Sequence, residues 1–317
     1  MKTALIFGCG DKAASRIVMG TMIIGLNNYE ESEKLLDCAM GFGINAFDIA
    51  HGYGGGDSER AIGKWMDERG NREGVFVITK GAHPNRDRKR VTPYDITSDL
   101  MDSLARLRTD YIDVYLLHRD DEDLPVGPIV DILNEHRAAG RIRAFGGSNW
   151  KHGRIAQANA YAAANGLFPM TVSSPNYGLC EQVDDPWGPG CVTISGAIGE
   201  DARKFYKLTD MPVIAYSSLG RGMLSGRVTR ENYKDLLDGA ALKAYAYDIN
   251  FGRLDRAREL AAEKGFSVPQ IGLAYILNQP LNVFPIVGAA SEKELAETAA
   301  SADIALTERE LAYLEGI

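Results

Sequence analysis

Long apolar runs, closely paired cysteines and an excess of positive charge are all missing from this chain of 317 residues. No apolar run approaches the roughly 18 residues that a membrane span requires. The N-terminal segment has one lysine and too short an apolar stretch for a signal peptide. The four cysteines form no Cys-x-x-Cys pair and are too few to build a disulfide framework in a chain of this length. We therefore expect a cytoplasmic protein with no membrane partner.

The charge balance argues against a nucleic-acid partner. The formal net charge is -8, whereas binding to phosphate backbones requires a basic face. Hydrophobic residues make up 45% of the chain and charged residues 25%, which is ordinary for a globular protein. The length suits either one large α/β barrel or two ordinary domains.

Short apolar strands alternate with helical segments along the chain. The predicted strands are Arg16–Gly20, Ile44–Asp48, Val75–Thr79, Ile112–Leu117, Ile142–Gly147, Thr171–Ser174, Val213–Tyr216 and Val283–Val287. Between them, apolar residues recur with helical spacing in Tyr29–Met40, Ser58–Glu68, Pro93–Leu107 and Pro128–Ala139. Thr92 before Pro93 marks a helix start, and Gly140 marks a helix end. Eight such units predict an α/β protein, a (β/α)8 TIM barrel that forms a single domain over residues 1–317.

The alternative architecture is an open, doubly wound sheet. The turn at Gly8-Cys9-Gly10 lacks the third glycine of a dinucleotide-binding fingerprint, and Gly54-Gly55-Gly56 lacks the Gly-Lys-Ser/Thr of a phosphate loop. Two long segments, 176–196 and 220–251, interrupt the alternation. Long loops after barrel strands shape the substrate pocket, so we expect these extended loops over the C-terminal mouth.

Four titratable residues occupy positions at or just beyond the ends of predicted strands: Asp48, Tyr53, Lys80 and His118. The carboxyl ends of parallel barrel strands meet at one face, so these side chains are expected to converge. A buried charge is costly unless it is paired, and Asp48 with Lys80 would form such a pair.

Several motifs, in this order along the chain, resemble those of the aldo-keto reductases. The segment Phe47-Asp48-Ile49-Ala50-His51-Gly52-Tyr53-Gly54 is similar to the first signature of that family, which carries an aspartate and the catalytic tyrosine. Ile78-Thr79-Lys80 is similar to its lysine strand, and Leu116-Leu117-His118 to its histidine strand. The resemblance covers nearly the whole chain. It implies a barrel enzyme that reduces an aldehyde or ketone to an alcohol with hydride from a nicotinamide cofactor.

The same resemblance implies where the cofactor would bind. Ser148 and Asn149 match a pair of residues that holds the nicotinamide carboxamide. Ala215–Gly222 matches a stretch that stacks on the nicotinamide ring and surrounds the pyrophosphate. Pro285–Ser291, together with Glu297 and Thr298, matches the residues that bind the adenosine end. The full expected set is Gly20, Thr21, Met22, Asp48, Ser148, Asn149, Ser174, Tyr216, Ser217, Leu219, Gly220, Arg221, Gly288, Ser291, Glu294, Glu297 and Thr298.

The chemistry of the four residues is consistent with this activity. Hydride addition builds negative charge on the carbonyl oxygen, so a proton donor must be ready. A tyrosine has a pKa near 10, and a nearby ammonium lowers that pKa by about 1–3 pH units. Tyr53 is thus the candidate general acid, Lys80 the ammonium and Asp48 its partner, while a ring N–H of His118 positions the oxygen. No metal is needed.

Two positions of the chain leave the choice between NADP(H) and NAD(H) open. Many members of the family carry an arginine where this chain has Glu294, and that arginine reaches the 2′-phosphate of NADP(H). A carboxylate there would repel the phosphate and favour NAD(H). Gly288 replaces a lysine of the family, although Lys293 is close in sequence. NADP(H) is the first expectation by family default, with NAD(H) as the alternative because of Glu294.

Substrate residues are the least specified by the sequence. Trp150 and Trp187 are candidate pocket walls beside His118, although Trp187 is equally suited to anchor its own loop. The basic run Arg86–Arg90 fits an anionic substrate or a solvated loop face. The acidic loop Arg119–Asp123 and the polar segment 176–196 favour a small hydroxylated carbonyl compound such as a sugar aldehyde.

Other interpretations compete with a reductase. Asp48 and Lys80 could form a purely structural ion pair. The protein could be a catalytically weak, cofactor-binding regulatory subunit, a kind of protein that the aldo-keto reductase family includes. It could also be a barrel hydrolase or lyase that uses Asp48 and His118 without a cofactor.

Overall fold

Eight parallel strands close into a barrel in the computed structural model, which describes all of residues 1–317. The strands are β3 (Val18–Gly20), β4 (Ala46–Asp48), β5 (Phe76–Gly81), β6 (Ile112–Leu117), β7 (Ile142–Ser148), β8 (Val172–Ser174), β9 (Val213–Ala215) and β10 (Val283–Val287). Going round the barrel, the strand order is β10-β3-β4-β5-β6-β7-β8-β9, so neighbours along the chain are neighbours in space. The predicted TIM barrel is confirmed. All eight predicted strands are present, with ends that differ by at most two residues.

Twelve helices accompany the strands. They are α1 (Tyr29–Gly41), α2 (Asp57–Arg69), α3 (Pro93–Leu107), α4 (Val126–Ala138), α5 (His152–Ala164), α6 (Glu200–Thr209), α7 (Tyr233–Leu236), α8 (Gly239–Tyr245), α9 (Asp248–Lys264), α10 (Val268–Leu277), α11 (Glu292–Ala300) and α12 (Glu308–Glu315). The predicted start of α3 is confirmed, because the Thr92 side chain accepts a hydrogen bond from the backbone N–H of Asp95. Beyond α4, Gly140 has a φ of 75°, as expected of a glycine at a helix end.

A short antiparallel hairpin at the N-terminus was not predicted. Its strands are β1 (Thr3–Leu5) and β2 (Ala13–Ser15). Ile6 and Cys9, in the connecting turn, join the apolar cluster inside the barrel. The Cys9 thiol donates a hydrogen bond to the backbone oxygen of Asp113, near the start of β6, at 3.3 Å. The hairpin therefore covers the N-terminal end of the barrel and leaves the carboxyl end of the strands open for a site.

Two long segments border that open end. Segment 176–196 is irregular, and a parallel bridge joins Asn176 to Tyr216. Segment 220–251, expected as a loop, instead contains α7, α8 and the start of α9. The two segments meet where the Arg221 guanidinium lies 4.9 Å from the centre of the Trp187 ring. No helix of the structure combines the length and apolar character needed to cross a membrane.

Candidate active site

Neighbouring strands bring the four titratable residues together at the carboxyl end of the barrel. Asp48 is the last residue of β4, Lys80 lies near the end of β5, and His118 follows β6 directly. In the strand register Asp48 pairs with Ile78, and Lys80 pairs with Leu116. Tyr53 follows β4 and begins a 3-10 turn, Tyr53–Gly56, in which Gly54 and Gly55 have φ of 57° and 64°. Glycine adopts this left-handed backbone with little strain, so the turn can follow the strand closely.

The Lys80 ammonium lies at the centre of this cluster. Its Nζ atom is 2.7 Å from Oδ1 of Asp48, 2.9 Å from the backbone oxygen of Ile49 and 3.2 Å from the Tyr53 hydroxyl. The ammonium thus forms an ion pair with Asp48 and donates hydrogen bonds to the other two oxygens. Burial alone would lower the pKa of Lys80, but the adjacent Asp48 carboxylate and Tyr53 raise it above the ordinary value. Lys80 therefore carries its positive charge at neutral pH.

The pKa of Tyr53 differs from the sequence expectation. Burial raises the pKa of its phenol, and this exceeds the lowering caused by Lys80, while the Asp48 charge adds to the rise. The prediction of a pKa below the ordinary value was wrong, because it weighed the ammonium without the burial and the carboxylate. Tyr53 is accordingly protonated at neutral pH, as a proton donor must be.

His118 completes the cluster as a neutral imidazole. Its ring lies 6.1 Å from the Tyr53 ring, centre to centre, at an interplanar angle of 80°. Burial, with a contribution from Lys80, lowers the pKa of His118 well below the ordinary histidine value. Its Nδ1 atom is buried and has no hydrogen-bond partner within the protein. A neutral ring keeps one N–H to donate and one nitrogen to accept.

A cavity of about 1510 Å³ opens beside these four residues. Ordinary ligand pockets span roughly 300–1,000 Å³, so this cavity can hold more than one small molecule. Most of the predicted binding residues line it: Gly20, Met22, Asp48, Ser148, Asn149, Trp187, Tyr216, Ser217, Leu219, Arg221, Gly288, Ser291, Glu294, Glu297 and Thr298. The structure thus brings together the predicted residues of the catalytic cluster with those of the β9, β10 and α11 segments.

Three predicted cofactor residues do not line the cavity. The Thr21 hydroxyl is fully buried and donates to the backbone oxygen of Asp48 at 2.9 Å, so it supports the end of β4. Ser174 is also fully buried, and its hydroxyl has no partner. Gly220 is buried against Cys180, with 3.1 Å between the Cys180 Cβ and the place where a Cβ on Gly220 would lie. Direct contact between a ligand in the cavity and these three residues is therefore not supported.

The two candidate tryptophan walls have different environments. Trp150 is fully buried, packs against Gly147 and donates from Nε1 to the backbone oxygen of Arg119 at 3.2 Å. The prediction that Trp150 forms a pocket wall was wrong, because its ring belongs to the core. Trp187 is 46% exposed and lines the cavity, with its ring centre 5.8 Å from that of Tyr216.

The Asn149 amide is held by four hydrogen bonds within the protein. Its Oδ1 atom accepts from the Tyr216 hydroxyl at 2.7 Å and from the backbone N–H of Val192 at 3.1 Å. Its Nδ2 atom donates to the backbone oxygen of His118 at 3.3 Å and to the Ser148 hydroxyl at 3.2 Å. Asn149 therefore connects the histidine strand, β7 and segment 176–196, and it fixes the floor of the cavity beside His118.

The charged loops near the site are mostly neutralised internally. In the acidic loop, Asp120 pairs with Arg154 at 3.1 Å and Asp121 pairs with Lys89 at 2.7 Å. In the basic run, Arg90 pairs with Asp99 at 2.6 Å. The acidic loop therefore lends no support to a hydroxylated substrate.

Sequence reasoning missed several cavity residues, among them His83, Arg119, Arg227 and Arg258. The first two had a usable signal, since Arg119 follows His118 directly and His83 follows β5 by two residues. Arg227 lies in segment 220–251, which was expected over the mouth of the barrel without any single residue being named, and Arg258 lies in α9, where no motif indicated it.

A parallel barrel with a lysine, tyrosine, carboxylate and imidazole gathered at its carboxyl end, beside a large cavity, defines an enzyme of the (β/α)8 class. The profile of the Aldo/keto reductase family matches residues 16–317. The chain therefore belongs to the aldo/keto reductase family and is an oxidoreductase.

Relatives and solved structures agree with this assignment. The aldo-keto reductase YhdN of Bacillus subtilis is 30% identical over 84% of this chain and 78% of its own length. The uncharacterized oxidoreductase YrpG of the same organism is 27% identical over 96% of this chain and 92% of its own. The thermostable aldo-keto reductase Tm1743, solved with the inhibitor epalrestat, superposes with a TM-score of 0.76 at 24% identity, covering 100% of this chain and 99% of its own. The glycerol dehydrogenase AKR11B4 of Gluconobacter oxydans superposes with a TM-score of 0.79 at 23% identity, covering 99% of this chain and 94% of its own. The similarity to these two solved structures supports the fold of this chain and nothing more.

Proposed function

We propose that the protein reduces an aldehyde or ketone to an alcohol with NADPH or NADH, and that Tyr53 is the general acid. The observation that carries the proposal is the contact chain from Asp48 to Lys80 to Tyr53, beside a neutral His118 and a cavity large enough for cofactor and substrate.

The residues can support each step of such a reduction. When bound, a reduced nicotinamide supplies the hydride that adds to the carbonyl carbon. The Tyr53 hydroxyl gives its proton to the carbonyl oxygen as charge develops there, which leaves a phenolate. The Lys80 ammonium, 3.2 Å away, stabilises that phenolate, and Asp48 keeps Lys80 charged. A ring N–H of His118 orients the oxygen, and a proton from solvent restores Tyr53.

The cavity is suited to a dinucleotide, and its charges bear on the choice between NADP(H) and NAD(H). The Glu294 carboxylate accepts a hydrogen bond from the backbone N–H of Ala290 at 2.8 Å, so part of its charge is engaged. Arg227, Arg258 and Lys293 line the same cavity. These three cations outnumber the two carboxylates of α11 in the cavity, Glu294 and Glu297, so we keep NADP(H) first and expect NAD(H) to bind as well.

Cofactor titration tests this proposal. Bound NADPH or NADH should quench tryptophan fluorescence by energy transfer, and Trp187, which lines the cavity, should contribute to that quenching. Trp187→Phe should reduce the quenching and keep binding detectable by calorimetry. If the protein binds neither NADPH nor NADH, the proposal is contradicted. Tight binding without turnover on any carbonyl compound would favour a regulatory cofactor-binding protein instead.

A further inference from the structure

Arg119 occupies a distinctive place beside the catalytic cluster. It follows His118 at the carboxyl end of β6 and lines the cavity together with His83 and Trp187. Its charge lowers the pKa of both His83 and His118, after the larger effect of burial, so the guanidinium lies within electrostatic reach of the reacting end of the cavity.

The Arg119 guanidinium has no carboxylate partner. Its one side-chain hydrogen bond is to Sγ of Cys191 at 3.5 Å, which is a weak acceptor. Nearby arginines are paired differently: Arg154 contacts Asp120, and Arg90 contacts Asp99. A guanidinium has five donors, and those of Arg119 that make no bond within the protein are free to bind a ligand oxyanion in the cavity.

The remaining cavity carboxylates do not compete for Arg119. Asp48 is paired with Lys80, and Asp238 is paired with Arg221 at 2.5 Å. Glu294 accepts from the backbone of Ala290, and Glu297 belongs to α11 with it. The acidic residues that follow Arg119 in sequence pair with Lys89, Lys151 and Arg154.

We propose that Arg119 binds an anionic group of the substrate, and that the physiological substrate is a carbonyl compound carrying a carboxylate or phosphate, such as an oxo acid. Arg119 is thereby a specificity-determining residue for the reduction, and this inference rests on the proposed function. Its guanidinium would hold the anion bidentately while the carbonyl group, at the other end of the molecule, meets Tyr53 and His118.

Matched substrates test the inference. Short ω-oxo acids of increasing length, and 4-carboxybenzaldehyde, are compared with their uncharged carboxamides, which have nearly the same size. We expect the wild-type protein to prefer at least one acid over its amide by about 10- to 100-fold in kcat/KM, chiefly through KM, because a charged hydrogen bond contributes on that scale. Arg119→Gln should abolish the preference, and Arg119→Lys should keep part of it.

Two controls isolate the effect of Arg119. Arg86→Gln removes the same charge from an exposed loop residue that does not line the cavity, and it should leave the preference unchanged. Phosphorylated aldehydes, compared with their dephosphorylated forms, distinguish phosphate from carboxylate as the anion.

Calorimetric binding of each acid and amide to the cofactor-bound protein separates this inference from the proposed function. Turnover of carbonyl compounds with no preference for any acid or phosphate would overturn the role of Arg119 and leave the reductase proposal standing. Preferential binding of an acid that is lost in Arg119→Gln would support the role even if no compound were reduced. A preference that survives in Arg119→Gln would also overturn it.

Discussion

At the scale of single residues, the ion pair of Asp48 with Lys80 affects both the stability of the protein and the proposed proton transfer from Tyr53. Both side chains are nearly fully buried, at 3% exposure each, so each charge depends on the other. The sequence identified both residues because a titratable group at the end of a buried strand is unusual. It did not reveal the balance between burial and charge that sets the pKa of Tyr53, since that balance depends on the surroundings of all three groups.

We predict that Lys80→Met destabilises the protein by about 3–5 kcal/mol, because it leaves the Asp48 carboxylate buried without its partner. The double variant Asp48→Asn/Lys80→Met should recover much of that loss, while both variants stay severely impaired in reduction. Urea unfolding of the wild type, the two single variants and the double variant measures the coupling. Additive effects of the two substitutions would contradict the coupling.

The pH dependence of reduction follows from the two shifted pKa values. Tyr53 donates a proton, so the active form exists below its pKa, which lies above the ordinary phenol value of about 10. His118 acts as a neutral ring, so the active form exists above its strongly lowered pKa. We expect kcat/KM for reduction to stay level from about pH 6 to 9 and to fall only at higher pH. A loss centred near pH 6.5 would contradict the neutral His118.

The reverse reaction should show the opposite pH dependence, which provides a control for the protonation state of Tyr53. Alcohol oxidation needs the phenolate form of Tyr53, so its rate should rise with pH over the range in which reduction stays level. In Lys80→Met, the alkaline fall of the residual reduction should move to higher pH, because Lys80 lowers the pKa of Tyr53.

At the scale of elements, the barrel strands were predictable and the N-terminal hairpin was not. Barrel strands are buried on both faces and read as continuous apolar runs, such as Val75–Ile78. In the hairpin, β1 reads Thr-Ala-Leu with both outer residues exposed and β2 reads Ala-Ala-Ser, so neither strand is a continuous buried apolar run. An aromatic residue beside a strand end is likewise ambiguous, and for this reason Trp150 was assigned to the pocket although it packs in the core.

Close packing between β7 and β8 gives a prediction at this scale. A Cβ on Gly146 would lie 1.7 Å from the backbone oxygen of Val172, so Gly146→Ala should force the two strands apart and cost about 3 kcal/mol or more. Gly153, in α5, has nothing within 4 Å of the same position. Gly153→Ala should be neutral or stabilise by up to about 1 kcal/mol. Equal stabilities of the two variants in urea would contradict the register of β7 and β8.

At the scale of the whole molecule, the two ends of the barrel have separate tasks. The hairpin and the apolar interior cluster close one end, whereas the titratable cluster, the cavity and segments 176–196 and 220–251 occupy the other. The order of the motifs along the chain predicted this polarity, because parallel strands place all their carboxyl ends on one face. The shape of the cavity and the free guanidinium of Arg119 emerge only when distant segments are folded together.

The most direct test of the account is the consumption of NADPH or NADH in the presence of a panel of aldehydes, oxo acids and ketones, measured for the wild type and Tyr53→Phe. We predict carbonyl-dependent oxidation of the cofactor by the wild type and a loss of about 10²- to 10⁴-fold in kcat for Tyr53→Phe, with cofactor affinity retained. Tyr161→Phe removes a hydroxyl on α5 that contacts Asp131 and does not line the cavity, so this matched control should keep full activity. Undiminished reduction by Tyr53→Phe would contradict the central claim that this hydroxyl supplies the proton.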